Sequence, residues 1–166
     1  MKLKQPLSSR IYDVDQLMRQ LHIWKLLSKK VVFTNGVFDI LHQGHIHTFT
    51  EAAAFGDILV VGINADASVK RLKGDLRPIN SEQSRAYLVA SLIMVDALII
   101  FSEDTPLDLI KMILPDTLVK GGDYTIDDIV GAKEVLDNGG NVEIIQTQEG
   151  FSTTGIIKKI SDTNNI

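Results

Sequence analysis

Short apolar runs rich in β-branched residues recur along this chain and alternate with segments of helical spacing, which leaves few folds open to it. Val31 to Phe33, Ile58 to Asn64, Asp96 to Phe101, Thr117 to Lys120 and Val142 to Ile145 each read as a buried strand. The run ILVVGIN shows no polar alternation, as suits a strand covered on both faces of a parallel sheet. Leu17, Met18, Leu21, Trp24 and Leu27 recur at spacings of three and four, in a helix that Asp13 or Asp15 caps. Ile46, Phe49, Ala52, Ala53 and Phe55 mark a second helix. Asn80 with Gln83 resembles a capping box opening a third, over Tyr87, Leu88, Ser91 and Leu92. Thr105 as cap and Pro106 at the first helical position start a fourth, which Pro115 stops. Asp127 or Asp128 begins a fifth, running to about Leu136, and the last follows Ser152, Thr153 and Thr154. The segment 65–80 reads as a long loop with at most one helical turn. Right-handed crossovers between parallel strands then predict one doubly wound α/β domain, with helices on both faces and the strand exits along one edge. Ligands bind at that edge, where the strand order reverses. Residues 1–29 are expected to form an N-terminal helical extension and 30–166 the domain itself.

The stretch VVFTNGVFDILHQGHIHTFT, residues 31–50, carries the most chemistry. Gly36 and Gly44 let a ligand approach the backbone, and His45 falls in the first turn of a helix, where free N–H groups favour an anion. His42 and His45 add directed donors, so strand, turn and helix start make a phosphate cradle, although the motif is neither GxGxxG nor GxxxxGK[ST]. A metal cluster of His42, His45 and His47 is the competing reading. The chain has no cysteine and no H-E-x-x-H spacing to support it, and no metal ligands are assigned. His47 and His22 are taken as ordinary core or surface residues. Lys70, Arg71, Lys73 and Arg77 gather positive charge in the 65–80 segment, as a functional loop or a solvated one. Gly121-Gly122-Asp123-Tyr124 is a second glycine-rich strand exit, for a ligand or for the turn alone. Ser152, Thr153 and Thr154 put hydroxyls at another helix start, either a cap or a second phosphate-binding arrangement.

A net charge of −4 offers no general attraction for nucleic acid, so any anion site has to be local. The longest apolar stretch, Leu88 to Phe101, is interrupted by Ser91 and Asp96 and is too short to span a bilayer, so no membrane role is expected. The N-terminus lacks the apolar segment of a signal peptide, and with no cysteine present the expected setting is the cytoplasm.

The pattern GVFDILHQGH closely resembles the signature of the cytidylyltransferase-like nucleotidyltransferases. Within them, NADASVKRLKGDLRPIN, ILPDTLVKGGDY and FSTTGIIKKI resemble the adenylyltransferases of the ADP-heptose pathway, in their stand-alone form. The resemblance spans residues 30–160 and implies a Rossmann-like sheet of five parallel strands in the order 3-2-1-4-5. It implies adenylyl transfer from ATP to D-glycero-β-D-manno-heptose 1-phosphate, giving ADP-heptose and pyrophosphate, with Mg²⁺ carried by the nucleotide phosphates and a homodimer as the assembly. Carried over by position, Phe33, Thr34, Asn35, Gly36, Val37 and Phe38 line the nucleotide, and His42 and His45 hold its phosphates. Lys73 reaches the α-phosphate, and Lys120, Gly121 and Asp123 border the nucleoside. Ser152, Thr153 and Thr154 take the β- and γ-phosphates, Asp39 orients the site or touches the sugar phosphate, and Arg85 lies at the nucleotide or a subunit interface. Two positions depart from the family pattern. Ser84 stands where a glutamine usually precedes Arg85, and Thr147 stands where the cytidylyl branch has an arginine, which weakens a CTP reading. The alternatives are a cytidylyltransferase acting on glycerol 3-phosphate or another small phosphate, and a nucleotide-sensing module without turnover. Intact histidines and Lys73 argue against the sensor.

Overall fold

A computed structural model describes residues 6–146 and 150–163. Thr147, one of the two departures from the family pattern, lies outside them. Strands β1 (Ile11–Tyr12), β2 (Val31–Gly36), β3 (Ile58–Asn64), β4 (Ala97–Phe101), β5 (Thr117–Gly121) and β6 (Asn141–Ile145) form one parallel sheet in the order β1-β4-β3-β2-β5-β6. Without β1, this is the expected order of five strands. The sixth strand corrects the five-stranded expectation: Ile11 and Tyr12 pair with Leu98 and Ile99 at the sheet edge. Two residues are too few to announce a strand by pattern.

The helices are α1 (Val14–Leu26), α2 (Gln43–Ala53), α3 (Asp66–Lys73), α4 (Glu82–Ala90), α5 (Leu107–Ile113), α6 (Ala132–Asp137) and α7 (Thr153–Thr163). Alternation along each strand sends neighbouring side chains to opposite faces. Val31 and Phe33 join Leu17, Leu21 and Trp24 of α1, Leu109, Ile110 and Ile113 of α5, and Ala132 and Val135 of α6. Val32 joins Phe49 and Ala52 of α2 and Ala86 and Val89 of α4 on the other face. Both faces are therefore covered, which accounts for strands apolar throughout. No helix among the described residues is long and apolar enough to cross a membrane.

Several local expectations need revision. Residues 66–73 form a helix of eight residues, so Lys70, Arg71 and Lys73 sit on its last turn, where cations suit the carbonyl end. Ser81, not Asn80, caps α4 by accepting from the Ser84 N–H at 3.3 Å, because Asn80 is engaged elsewhere. Pro106 itself is the cap position of α5, and no side chain bonds there. The helix expected from Asp127 to Leu136 is broken. A short 3₁₀ turn, Ile126–Asp128, is capped by Thr125, and Gly131 at φ 86 restarts the chain into α6. Left-handed backbone there favours glycine.

β2 is flanked by β3 on one side and β5 on the other, so the order of connection reverses beside it. A cavity opens at the carboxyl ends of these strands, where such sheets bind ligands.

Candidate active site

The cavity holds about 290 Å³ and is lined by the exit of β2, by α2, by the end of α3 and the loop after it, by the exit of β5 and by the start of α7. Its floor is Thr34 to Asp39. Phe38 adopts a left-handed backbone, φ 49, which costs a bulky residue energy and is held only where the surroundings fix it. The fixing contacts are visible. Its ring packs against Phe49 at 4.8 Å between centroids, and it lies so close over Gly36 that a Cβ there would meet the ring at 2.8 Å. This is the physical requirement for glycine at 36.

Phe38 also carries His45, whose ring meets it edge-on at 5.2 Å. His42 occupies the N-cap of α2 with extended backbone, and its carbonyl accepts from the N–H groups of His45 and Ile46 at 3.0 and 3.3 Å. Its own side chain makes no cap bond and instead stacks on His45. Gly44 makes room for this, since a Cβ there would sit 3.2 Å from the His42 ring. The Nδ1 atoms of both histidines are buried with no partner among the described residues. Burial lowers the pKa of both rings. For His45, burial first and the charges of His42 and Lys73 next bring it down to about 4. Two neutral imidazoles at a helix start are thus ready to take an anion.

Lys120 brings charge from the β5 side. Its ammonium donates to the side-chain and main-chain oxygens of Asn35 at 3.3 and 3.5 Å, lies 5.8 Å over the Tyr124 ring, and has its pKa lowered by burial. From the β3 side come Lys73 and Arg77. The one lining carboxylate among the described residues, Asp39, is 2% exposed. Burial alone would raise its pKa, but N–H bonds from Asn80 and Ile79 and the Arg77 guanidinium hold it below the ordinary carboxylate value. The cavity is therefore locally cationic in a chain of net charge −4.

Of the residues singled out from sequence, Thr34, Asn35, Gly36, Val37, Phe38, Asp39, His45, Lys73, Lys120, Gly121 and Thr153 line this cavity. His42 reaches it only by stacking on His45. Phe33 is a core residue under the sheet, Asp123 is exposed outside the lining, and Ser152 caps α7 by accepting from the Gly155 N–H at 3.0 Å. Thr154 does not line it either. Arg85 is fully buried: it donates to the carbonyls of Val37 and Asn64 at 2.6 and 2.7 Å, to Asn80 at 3.1 Å, and to the Asp66 carboxylate at 2.7 Å. Arg77 and Tyr124, read from sequence only as part of a basic segment and of a strand exit, line the cavity, and so does Thr48, which the sequence reading missed. Thr48 follows His45 by three residues on α2, a spacing that marks it as sharing a face. Arg71, in the same basic group as Arg77, instead pairs with Asp104. Among the described residues no group of three histidine, aspartate or glutamate side chains could hold a metal ion.

The chain is similar to several known proteins. The profile of the family described as cytidylyltransferase-like matches residues 33–165. Bifunctional protein HldE of Geobacter sulfurreducens is 47% identical over 152 residues, covering 92% of this chain and 31% of that protein. The HldE of Shewanella amazonensis is 51% identical over 150 residues, covering 90% and 32%. The chain thus spans about a third of the length of the curated relatives it matches. Among solved structures, the lipopolysaccharide core biosynthesis protein of Thermoplasma volcanium is 34% identical with a TM-score of 0.59, over 72% of this chain and 97% of that one. The pantoate-beta-alanine ligase of Francisella tularensis, complexed with beta-gamma ATP and beta-alanine, has a TM-score of 0.57 over 92% of this chain and 76% of that one. At 17% identity the likeness is one of fold alone.

Proposed function

The chain belongs to the cytidylyltransferase-like family of nucleotidyltransferases, and from that premise we propose that it transfers AMP from ATP to D-glycero-β-D-manno-heptose 1-phosphate. The observation that carries the reading is His45, whose Nδ1 is buried without a partner among the described residues at the start of α2, in a cavity walled by Lys73, Arg77 and Lys120. Such a site offers cationic donors to an anion, and its lining carboxylate, Asp39, is already paired with Arg77. The sugar comes from the stretches resembling the ADP-heptose adenylyltransferases, and the HldE relatives and the Thermoplasma volcanium protein support it.

In this reading, Thr34 to Phe38 support the nucleotide, while His45, backed by His42, and Thr153 at the start of α7 hold its phosphates. The nucleoside extends past Lys120 and Tyr124 toward an adjoining hollow of about 170 Å³, which shares Asn35, Lys120 and Tyr124 with the main cavity and adds Pro106, Asp128, Ile129 and Val130. An ionised oxygen of the sugar phosphate forms a bond to the α-phosphorus. The bond from that phosphorus to the bridging oxygen breaks, and its electron pair leaves with pyrophosphate. No side chain becomes covalently attached and no proton must be removed from the attacking phosphate. The protein's work is to hold two anions together and to meet charge on the α-phosphate with fixed donors. Magnesium fits as an ion carried by the nucleotide, because Asp39 is already occupied by Arg77 and two N–H groups; bound there it would neutralise the leaving pyrophosphate.

We extend the proposal to a homodimer working in the cytoplasm, with residues 30–166 carrying the reaction and 1–29 as an N-terminal helical extension. Purified protein with Mg²⁺ should release pyrophosphate from ATP when heptose 1-phosphate is added. Release with CTP and glycerol 3-phosphate, and none with ATP, would replace this reading by the cytidylyl alternative.

A further inference from the structure

Arg77 is anchored through one nitrogen only. Its Nε donates to Asp39 Oδ2 at 2.7 Å, and among the described residues neither η-nitrogen has a protein acceptor. The side chain is 16% exposed and borders the main cavity. A guanidinium held by Nε keeps its outer edge free, with two parallel N–H groups spaced for two oxygens of one phosphate.

The anchor is itself immobilised. Asp39 accepts the N–H groups of Ile79 and Asn80 at 2.8 Å, and its carbonyl accepts the Asn80 amide at 2.6 Å. Asn80 in turn passes its carbonyl to Arg85, which also grips Val37. Segment 77–80 is therefore tied back onto the exit of β2 before any ligand arrives. A clamp fixed in advance loses little freedom on binding, so more of its interaction appears as affinity.

Position separates this clamp from Lys120 and His45, and Lys73 is the cation that shares its side. Lys120 and Tyr124 lie on the β5 side of β2, His45 and Thr153 at the starts of α2 and α7, and Arg77 on the β3 side, beyond α3. In-line displacement needs the attacking and leaving oxygens on opposite sides of the α-phosphorus. With the nucleotide assigned to His45, Thr153 and Lys120, the β3 side remains for the attacking group.

We propose that Arg77 is the acceptor-phosphate clamp, gripping the phosphate of the incoming sugar 1-phosphate with its two η-nitrogens, and that Asp39 is the residue that positions it. The inference rests on the adenylyl-transfer reading above. Arg77→Lys keeps a cation for Asp39 but loses the fork, and Asp39→Asn removes the anchor's charge. Each should raise KM for the sugar phosphate by roughly 10- to 100-fold, as expected for losing a charged hydrogen-bonded contact, with KM for ATP changed by less than about two-fold. A sugar-phosphate KM left unchanged in Arg77→Lys, or an ATP KM rising in parallel, overturns the clamp. An Asp39→Asn variant with a lowered melting point and unchanged acceptor KM overturns the positioning role. If wild type instead uses glycerol 3-phosphate or CTP, the functional reading fails, and the same comparison on that acceptor still decides the clamp. If calorimetry with a non-hydrolysable ATP analogue detects no binding of either phosphate to wild type, both fall.

Discussion

The imidazoles of His42 and His45 stack with their centroids 3.8 Å apart and their planes inclined by 21°. With Lys73 also acting on His45, the pair carries little charge near neutrality. The folded pKa of His45, about 4, lies below its ordinary value of 6.5, so the unfolded chain binds more protons between the two. Stability is then intact above the higher value and is lost as pH falls through that window. An anion in the cradle acts oppositely, raising the pKa, so nucleotide binding within the window should take up a proton. Calorimetry in buffers of different ionisation heat should show this for wild type and much less for His45→Asn. Identical heats in all buffers would contradict it.

Lys73 closes α3 and is followed by Gly74 at φ 90, a backbone state that glycine adopts freely. An ammonium there can close on the α-phosphate as charge develops. Lys73→Ala should therefore lower kcat more than it weakens ATP binding. An unchanged kcat with a raised KM would assign Lys73 to ground-state binding.

Removing a preorganised donor from such a site costs about 2.7 to 4 kcal/mol, or roughly 10²- to 10³-fold in kcat. That is the expected effect of His45→Ala, with circular dichroism and melting point near wild type, since the helix is kept and no large apolar group is lost. His45→Asn should recover part of the activity through its amide donor. Nearly full activity in the alanine variant would remove His45 from the mechanism. Loss of bound zinc along with activity would favour the metal reading.

Arg85 joins Val37, Asn64, Asn80 and Asp66 from a fully buried position. Arg85→Ala leaves these acceptors without their donor, and breaking a buried charge network of this kind costs about 3 to 5 kcal/mol. Chemical denaturation should register that loss. A variant as stable as wild type but defective in ATP binding would return Arg85 to the nucleotide site.

The parallel sheet and the histidine cradle were legible because each is written locally. An apolar β-branched run defines a strand, and His42, Gly44 and His45 lie within one turn. The edge strand was not, because Ile11 and Tyr12 become a strand only through pairing with Leu98 and Ile99. Arg77, read only as part of a basic segment, and Arg85, expected at the nucleotide or a subunit interface, were misjudged for a related reason. Both are arginines near a helix start, and only the folded chain shows one facing the cavity and the other sealed among carbonyls. Asn80 illustrates the same limit, since a residue suited to capping was drawn off by Asp39 from far along the chain.

One isotope experiment addresses the central claim, that the acceptor's own phosphate attacks the α-phosphorus of ATP in this cavity. Heptose 1-phosphate with every phosphate oxygen replaced by oxygen-18 is incubated with the purified protein, ATP and Mg²⁺, and both products are weighed by mass spectrometry. Direct attack predicts ADP-heptose that retains every label and pyrophosphate that carries none. Labelled pyrophosphate, a nucleotide sugar that has lost label, or no ADP-heptose at all would contradict the account.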